Sequence, residues 1–319
     1  MRWNRGRLAA VRLVGILSVF LAAASNASPT ANLYFTNWQA LSLGAISPTG
    51  EVTLTDVSVY GMNELDGLAF DSNGTPYVGY ISSGTAEPPG IFRITPAGPE
   101  RFAQTAQPRG TAFDANNNLY IADSSVHDII RVEPSGAAST IFSFGSAIQP
   151  LRVGLNSQDQ LFVAANAGVY RIDGPGSATL IVNGITFPSG LLPLGLAFDS
   201  SDNIYVGDHY NDRVIKFDQF GAFISVFADA SDGISNPWGL AIDSDGSVFV
   251  ANTTTSTILQ FDGFGTLQTT FDASVGVDRP FSLAFAPAVP EPSGSLLLGV
   301  SLVVVGARTR RLEASPGTL

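Results

Sequence analysis

Between residues 32 and 287 an apolar run, a polar turn built around Asp or Asn, and a second apolar run recur along the chain. Four copies match closely: DGLAFDSNGTPYVGY (66–80), RGTAFDANNNLYIAD (109–123), LGLAFDSSDNIYVGD (194–208) and WGLAIDSDGSVFVAN (238–252). A fifth, RVGLNSQDQLFVAA (152–165), is weaker. Equivalent apolar residues stand at Phe70, Phe113, Leu155, Phe198, Ile242 and Phe285, spaced 43, 42, 43, 44 and 43 apart. A period in this range marks a solenoid or a propeller.

Within each unit the alternation is that of strands. The second run carries an aromatic at Tyr34, Tyr77, Tyr120, Phe162, Tyr205 or Phe249. Next come IFRI (91–94), IIRV (129–132), VYRI (169–172), VIKF (214–217) and ILQF (258–261), each with a polar residue between apolar ones. That is the pattern of half-buried strands. A glycine-containing turn and a fourth strand complete each unit as a four-stranded blade. Tyr34 has no first strand before it, and Phe285 has no second strand after it. The pattern therefore predicts an all-β, six-bladed β-propeller over residues 28–287. Its closing blade joins FSLAF (281–285) to three strands from residues 32–56, so N- and C-terminal strands share one blade and no edge stays open.

These repeats resemble NHL repeats, and the chain is similar to the six-bladed gluconolactonase-like propellers. The resemblance covers nearly all of 32–287. It implies the fold firmly and the function weakly, because such propellers include enzymes, ligand binders and scaffolds. The gluconolactonase-like enzymes imply a divalent metal at the channel mouth. Their ligands are a Glu ahead of an early inner strand, and an Asn and an Asp just before the glycine of later ones. Glu64 fits the first, but Leu194 precedes Gly195 and Trp238 precedes Gly239, and neither side chain ligates a metal. Peptide α-amidating and streptogramin lyases, relatives in fold, depend on histidines. This chain has His127 and His209, at different offsets in their loops: Tyr120 plus seven and Tyr205 plus four. They read either as an acid/base pair or as two solvated loop residues.

The ends of the chain carry processing patterns. Arg2, Arg5 and Arg7, the apolar stretch Leu13 to Ala24, and Ser25-Asn26-Ala27 read as a signal peptide over 1–27, cut between Ala27 and Ser28. At the other end Val289-Pro290-Glu291-Pro292-Ser293 leads into an apolar segment and then Arg308, Arg310 and Arg311. This order resembles the PEP-CTERM sorting signal, here spanning 288–311 with a disordered tail over 312–319. The resemblance implies a bacterial, exported protein at the cell surface or in the extracellular matrix, processed by an exosortase-type enzyme. It also implies transient membrane contact through a transmembrane helix over 293–307. At 15 residues that helix is shorter than the ~20 of a full span. Short helical segments are thus expected at both termini.

Composition narrows the chemistry. With no cysteine, disulfides, thiolate catalysis and Cys-based zinc sites are excluded. Between residues 28 and 287, nine basic side chains face 25 acidic ones. Such a body repels phosphate backbones, so nucleic acid is excluded as a partner.

A site is expected at the mouth of the central channel. Residues just after the second strand are Asn37, Tyr80, Asp123, Ala165, Asp208 and Asn252. Residues just before the first include Asp66, Arg109, Arg152, Leu194, Trp238 and Phe281. The candidate ligand-binding set is Asn37, Tyr80, Arg109, Asp123, Arg152, Asp208, Trp238 and Asn252. It could hold a sugar, an anion or a hydrated cation such as calcium, or its Asp and Asn members could satisfy loop amides instead. In the second unit, SSGTAEPPG lengthens the loop over this face. Asp71-Ser-Asn73-Gly-Thr75 and Asp243-Ser-Asp245-Gly-Ser247 look like calcium loops but have Ser82 and Thr254 where the last acidic ligand belongs. Their recurrence indicates turn chemistry. Without a recognisable catalytic set, the sequence reads first as a non-catalytic binding or structural protein, with exopolysaccharide or another surface protein as partner. The alternative is a divalent-metal-dependent hydrolase or lyase working at the channel mouth.

Overall fold

A computed structural model of the chain describes residues 31–287 apart from 39–41, 58–61, 63, 82–86 and 185–189. The expected signal peptide, sorting signal and terminal helical segments lie outside the described residues. Among those described, no helix is long and apolar enough to cross a membrane, and the helices present are 3-10 turns of three residues. None of the described residues supplies the expected transmembrane helix, whose segment, 293–307, lies outside them.

The chain opens with β1 (Leu33–Asn37), β2 (Ser42–Ile46) and β3 (Val52–Asp56). The second blade follows as β4 (Leu65–Phe70), β5 (Pro76–Tyr80), β6 (Gly90–Thr95) and β7 (Gly98–Gln104). The third is β8 (Pro108–Phe113), β9 (Leu119–Asp123), β10 (Asp128–Val132) and β11 (Ala138–Ser143). The fourth is β12 (Pro150–Leu155), β13 (Leu161–Ala165), β14 (Gly168–Gly174) and β15 (Ser177–Asn183). The fifth is β16 (Pro193–Phe198), β17 (Ile204–Asp208), β18 (Arg213–Phe217) and β19 (Phe223–Ala228). The sixth is β20 (Pro237–Ile242), β21 (Val248–Asn252), β22 (Thr257–Phe261) and β23 (Leu267–Phe271). The last strand, β24 (Pro280–Phe285), returns to the first blade in the order β24-β1-β2-β3. Leu33 pairs with Phe285, Tyr34 with Ala284 and Phe35 with Leu283. The six blades and the shared closing blade expected from the sequence are all present.

Packing follows from which strands are apolar on both faces. Second strands such as PYVGY, LFVAA and VFVAN are almost wholly buried, whereas outer strands such as VTLTD and LQTTF are mostly exposed. Neighbouring blades interlock through aromatics, as where Phe249 of the sixth meets Phe285 of the first with ring centroids 5.5 Å apart. Each such buried ring contributes about 1.5–3 kcal/mol.

The inner strands β4, β8, β12, β16, β20 and β24 contact one another in that order around the channel. Their backbones come close. A Cβ added to Gly110 would lie 2.5 Å from the Arg152 Cα. That close approach is why the first-strand motif carries glycine.

Candidate functional site

Each inner strand starts with an irregularity in its pairing. In the third blade Pro108 pairs with Asp123 and Gly110 with Ala122, leaving Arg109 between them. Leu194 and Trp238 take the same bulged position in the fifth and sixth blades. In the fourth blade the bulge falls on Leu151, and Arg152 pairs with Ala164 in the register that glycine holds elsewhere. Arg152 therefore stands one position beyond the place of Arg109, because the fourth repeat begins 42 residues after the third, Pro108 to Pro150, whereas the two arginines are 43 apart.

That shift places Arg152 in the channel. It is 7 % exposed and reaches across to Asp66 of the second blade, Nη2 to Oδ1, at 2.8 Å. Its Nη1 donates to the Arg109 and Leu151 carbonyls at 3.0 and 3.1 Å. Arg109 Nη1 approaches Asp66 Oδ2 at 3.3 Å. Burial pushes the Asp66 carboxyl up from its ordinary value, and the two guanidiniums oppose that shift. The trio forms the charged floor of the mouth.

Above it opens a cavity of about 340 Å³, within the range of small-molecule sites. Its aromatic wall is Trp38, Trp238 and Phe281, with centroids 5.0 Å apart for Trp38–Phe281 and 4.3 Å for Trp238–Phe281. Glu64, Asp66, Arg109, His209, Asn236 and Arg279 supply the polar wall. Two larger clefts, each about 530 Å³, open elsewhere, around Asp243 and Thr49 and around Arg131 and Arg171; no histidine lines either.

The cavity holds an oriented imidazole. His209 sits in the 3-10 turn His209–Asn211 directly after β17, with its ring edge-on to Trp238 at 5.6 Å. Trp238 Nε1 donates to Asn236 Oδ1 at 2.6 Å, and an indole N–H can only donate. This turns the Asn236 amide nitrogen towards His209 Nε2, 3.5 Å away. Nε2 therefore presents its lone pair, and the ring proton resides on Nδ1. Burial lowers the His209 pKa below its ordinary 6.5, so the ring is neutral at pH 7.

Two wall residues stand at positive φ: Asn236 at 56° and Arg279 at 48°. Each precedes the proline that opens an inner strand. Their amides are tied to Asp212 Oδ1 at 2.6 Å and Ser256 Oγ at 3.1 Å. Left-handed backbone at non-glycine residues is costly and gathers at functional sites.

Of the residues expected at the site, Arg109 and Trp238 line the cavity and Arg152 underlies it. The other five do not line it. Asn37 exchanges hydrogen bonds with the Gly276 carbonyl and the Asp278 amide at 2.9 Å each. Asp123 accepts from the Ala106 and Gln107 amides at 2.7 and 3.0 Å. Asp208 accepts from Asn211 and Arg213 at 2.8 and 2.9 Å. Asn252 donates to the Gly233 carbonyl and accepts from the Ser235 amide, at 2.8 and 3.1 Å. Tyr80 is buried in the core against Phe92. A strand-end Asp or Asn is a loop brace repeated from blade to blade. His127 does not line the cavity with His209; its Nδ1 lies 2.6 Å from the Gly145 carbonyl. Sequence reasoning passed over Asn236 and Arg279. In the sequence they share only a position, a polar residue ahead of the inner-strand proline, which Gln107 and Gln149 also hold.

A divalent cation fits this site poorly. Among the described residues no group of three His, Cys, Asp or Glu side chains converges. The central carboxylate, Asp66, is already held by two arginines. Calcium-loop lookalikes hold their own backbones instead: Asp71 Oδ1 accepts from Asn73 and Thr75, both at 2.9 Å, and Asp243 Oδ1 from Asp245 and Ser247 at 3.0 and 2.8 Å.

Residues 153–289 match the family model described as SMP-30/Gluconolactonase/LRE-like region. No curated protein matches the chain. Among solved structures, the chain is similar to one described as a nidogen/laminin complex, at 17 % identity over 80 % of this chain and 98 % of that one, TM-score 0.67. It is also similar to a catalytically inactive histidine-to-alanine form of virginiamycin B lyase from Staphylococcus aureus with quinupristin. There the identity is 14 % over 82 % and 94 % of the chains, TM-score 0.59. A streptogramin B lyase gives 13 % over 81 % and 90 %, TM-score 0.60. These likenesses show the fold, a six-bladed propeller, similar over residues 153–289 to the gluconolactonase-like family model. They also correct the functional expectation. The family model is that of a gluconolactonase-like region and two of the similar structures are described as lyases, which favours the enzymatic alternative over a non-catalytic binding or structural protein.

Proposed function

We propose that this propeller is a lyase or hydrolase whose active site is the channel-mouth cavity, with His209 as general base. The observation that carries it is a neutral imidazole, set edge-on to Trp238 with Nε2 towards Asn236, in the same cavity wall as two guanidinium groups. Nε2 is positioned to take a proton, from substrate in an elimination or from water in a hydrolysis. Its contact with Asn236 is long enough to yield to a stronger donor. The free N–H groups of Arg109 face the charge that then develops on oxygen. Support comes also from the lyases of similar fold, one of them inactive without a histidine. No metal takes part in this scheme.

A lactone panel and quinupristin, incubated with the full chain, test the reading. His209→Gln lowers kcat/KM by about 10²–10⁴-fold with the fold unchanged. Wild-type kcat/KM falls on the acid side of pH 6.5, because protonation at the lowered pKa removes the lone pair. Full activity in His209→Gln would overturn the assignment.

The same proposal places the enzyme outside the cytoplasm. The signal-peptide pattern of 1–27 and the PEP-CTERM-like pattern of 288–311 support this. Mass spectrometry of the protein from its native cells is expected to find Ser28 as the first residue and no peptide from 293–319. An unprocessed chain counts against export.

A further inference from the structure

The cations of this acidic molecule are unevenly matched. Nine Lys and Arg side chains lie between residues 28 and 287. Six of them each have a carboxylate: Arg93–Glu100, Arg101–Glu87, Arg131–Glu133, Arg171–Asp173, Arg213–Asp208 and Lys216–Asp199. The other three, Arg109, Arg152 and Arg279, are at the channel mouth. Arg109 and Arg152 share Asp66, and among the described residues no carboxylate pairs with Arg279. Counting Arg152 beneath it, the mouth sets three guanidiniums against the Asp66 and Glu64 carboxylates, a balance of +1 among these five groups in a protein of net charge −11, with Asp212 and Asp208 acting on His209 from outside the lining. A concave, partly apolar site focuses such a field on an incoming anion.

The two half-buried guanidiniums that line the cavity are also held in place. Arg279 lies over the Trp38 ring at 4.8 Å, which leaves the N–H groups in its plane free. Arg109 spends Nε on Ser124 Oγ and one Nη1 proton on Asp66, leaving further donors for the cavity. Beside them runs the row Trp38, Phe281 and Trp238: Phe281 is buried against both indoles and Arg152 lies over Trp238 at 5.7 Å, so the half-buried edges of the two tryptophans are what the row offers a flat or ring-shaped group.

We infer that the substrate carries a carboxylate on a ring-shaped group, the carboxylate bound by Arg279 and Arg109 and the ring lying against the edges of Trp38 and Trp238. This rests on the cavity being the active site, as proposed above, and names the chemical class it takes.

Paired probes that differ only in charge test it on the full chain: phenylacetate against phenylacetamide, and glucuronate against glucose. Two of the three tryptophans line the cavity, so intrinsic fluorescence reports binding. At least one carboxylate is expected to bind about 10-fold or more tightly than its neutral partner, and less tightly as salt is raised. Arg279→Gln removes most of that preference. Arg279→Lys restores part of it, keeping the charge but losing the fork. Thermal melts of both variants verify the fold. Equal affinity for the neutral partners, an unchanged preference in Arg279→Gln, or no binding of any probe overturns the inference. His209→Gln separates the two claims. A kept carboxylate preference with undiminished turnover sinks the catalytic assignment alone, whereas lost turnover with no carboxylate preference in the wild type sinks this inference alone.

Discussion

A single side chain, Arg152, closes the bottom of the mouth. It occupies a register position given to small residues in the other blades, and its charge is compensated two blades away by Asp66. A buried ion pair adds little to stability, but losing one partner strands the other charge at a cost of about 3–5 kcal/mol. Arg109 remains to soften that loss, so Arg152→Met is expected to cost about 3 kcal/mol in urea unfolding. Adding Asp66→Asn is expected to recover part of it. A loss in Arg152→Met below about 1 kcal/mol counts against the pair. His209 makes a prediction of opposite character. Its folded pKa lies below the unfolded 6.5, so its contribution to stability is present above pH 6.5 and is lost as pH falls through the folded value. Wild type is therefore expected to lose melting temperature relative to His209→Gln as pH falls below 6.5, and a constant difference across that range counts against the shift. The types of these residues were visible in the sequence. Their partnership was not, because Asp66, Arg109 and Arg152 are about 43 residues apart and meet only when the ring forms.

Among elements, the recurring device is the strand-end brace. Asp123 ends β9 and holds the loop that leads into β8 through two backbone amides. Its side chain does not line the cavity. Asp123→Ala leaves those amides short of partners and is expected to cost about 1–3 kcal/mol, while turnover per folded molecule is retained. A loss of turnover without a loss of melting temperature would instead make Asp123 a ligand residue. Strand identity and blade composition were legible because a half-buried strand writes its alternation into the chain. The site was less so. A carboxylate that braces a loop and one that binds a ligand have the same composition and the same offset from the strand. Asn236 shows the converse. Nothing in Asn-Pro-Trp announces an amide locked by an indole against an imidazole two strands away, since that contact depends on the left-handed turn at Asn236 and the 3-10 turn at His209.

For the whole molecule, closure is the controlling feature. β24 would be a lone strand without β1, and β1 to β3 would have no inner strand without β24. A variant lacking residues 32–56 therefore leaves both ends of the ring as open edges. It is expected to lose its cooperative thermal transition, as followed by circular dichroism; an unchanged melting temperature would show that the shared blade is dispensable. Closure also builds the site, since the cavity takes Trp38 from one end of the chain, Arg279 and Phe281 from the other, and Arg109, His209 and Trp238 from between.

The sequence by itself determined the number of blades, their four-stranded make-up, the shared closing blade and the acidic character of the body. These follow from period and alternation, which local burial imposes on every repeat. Only the tertiary structure decided which polar residues serve the channel. Six inner strands converge there with one shifted register, and hydrogen-bond partners in the adjoining loops and strands consume Asn37, Asp123, Asp208 and Asn252 while leaving His209, Arg109 and Arg279 facing the cavity. A repeat pattern records what each unit has in common, whereas a site at the centre of a ring is made from the ways in which the units differ.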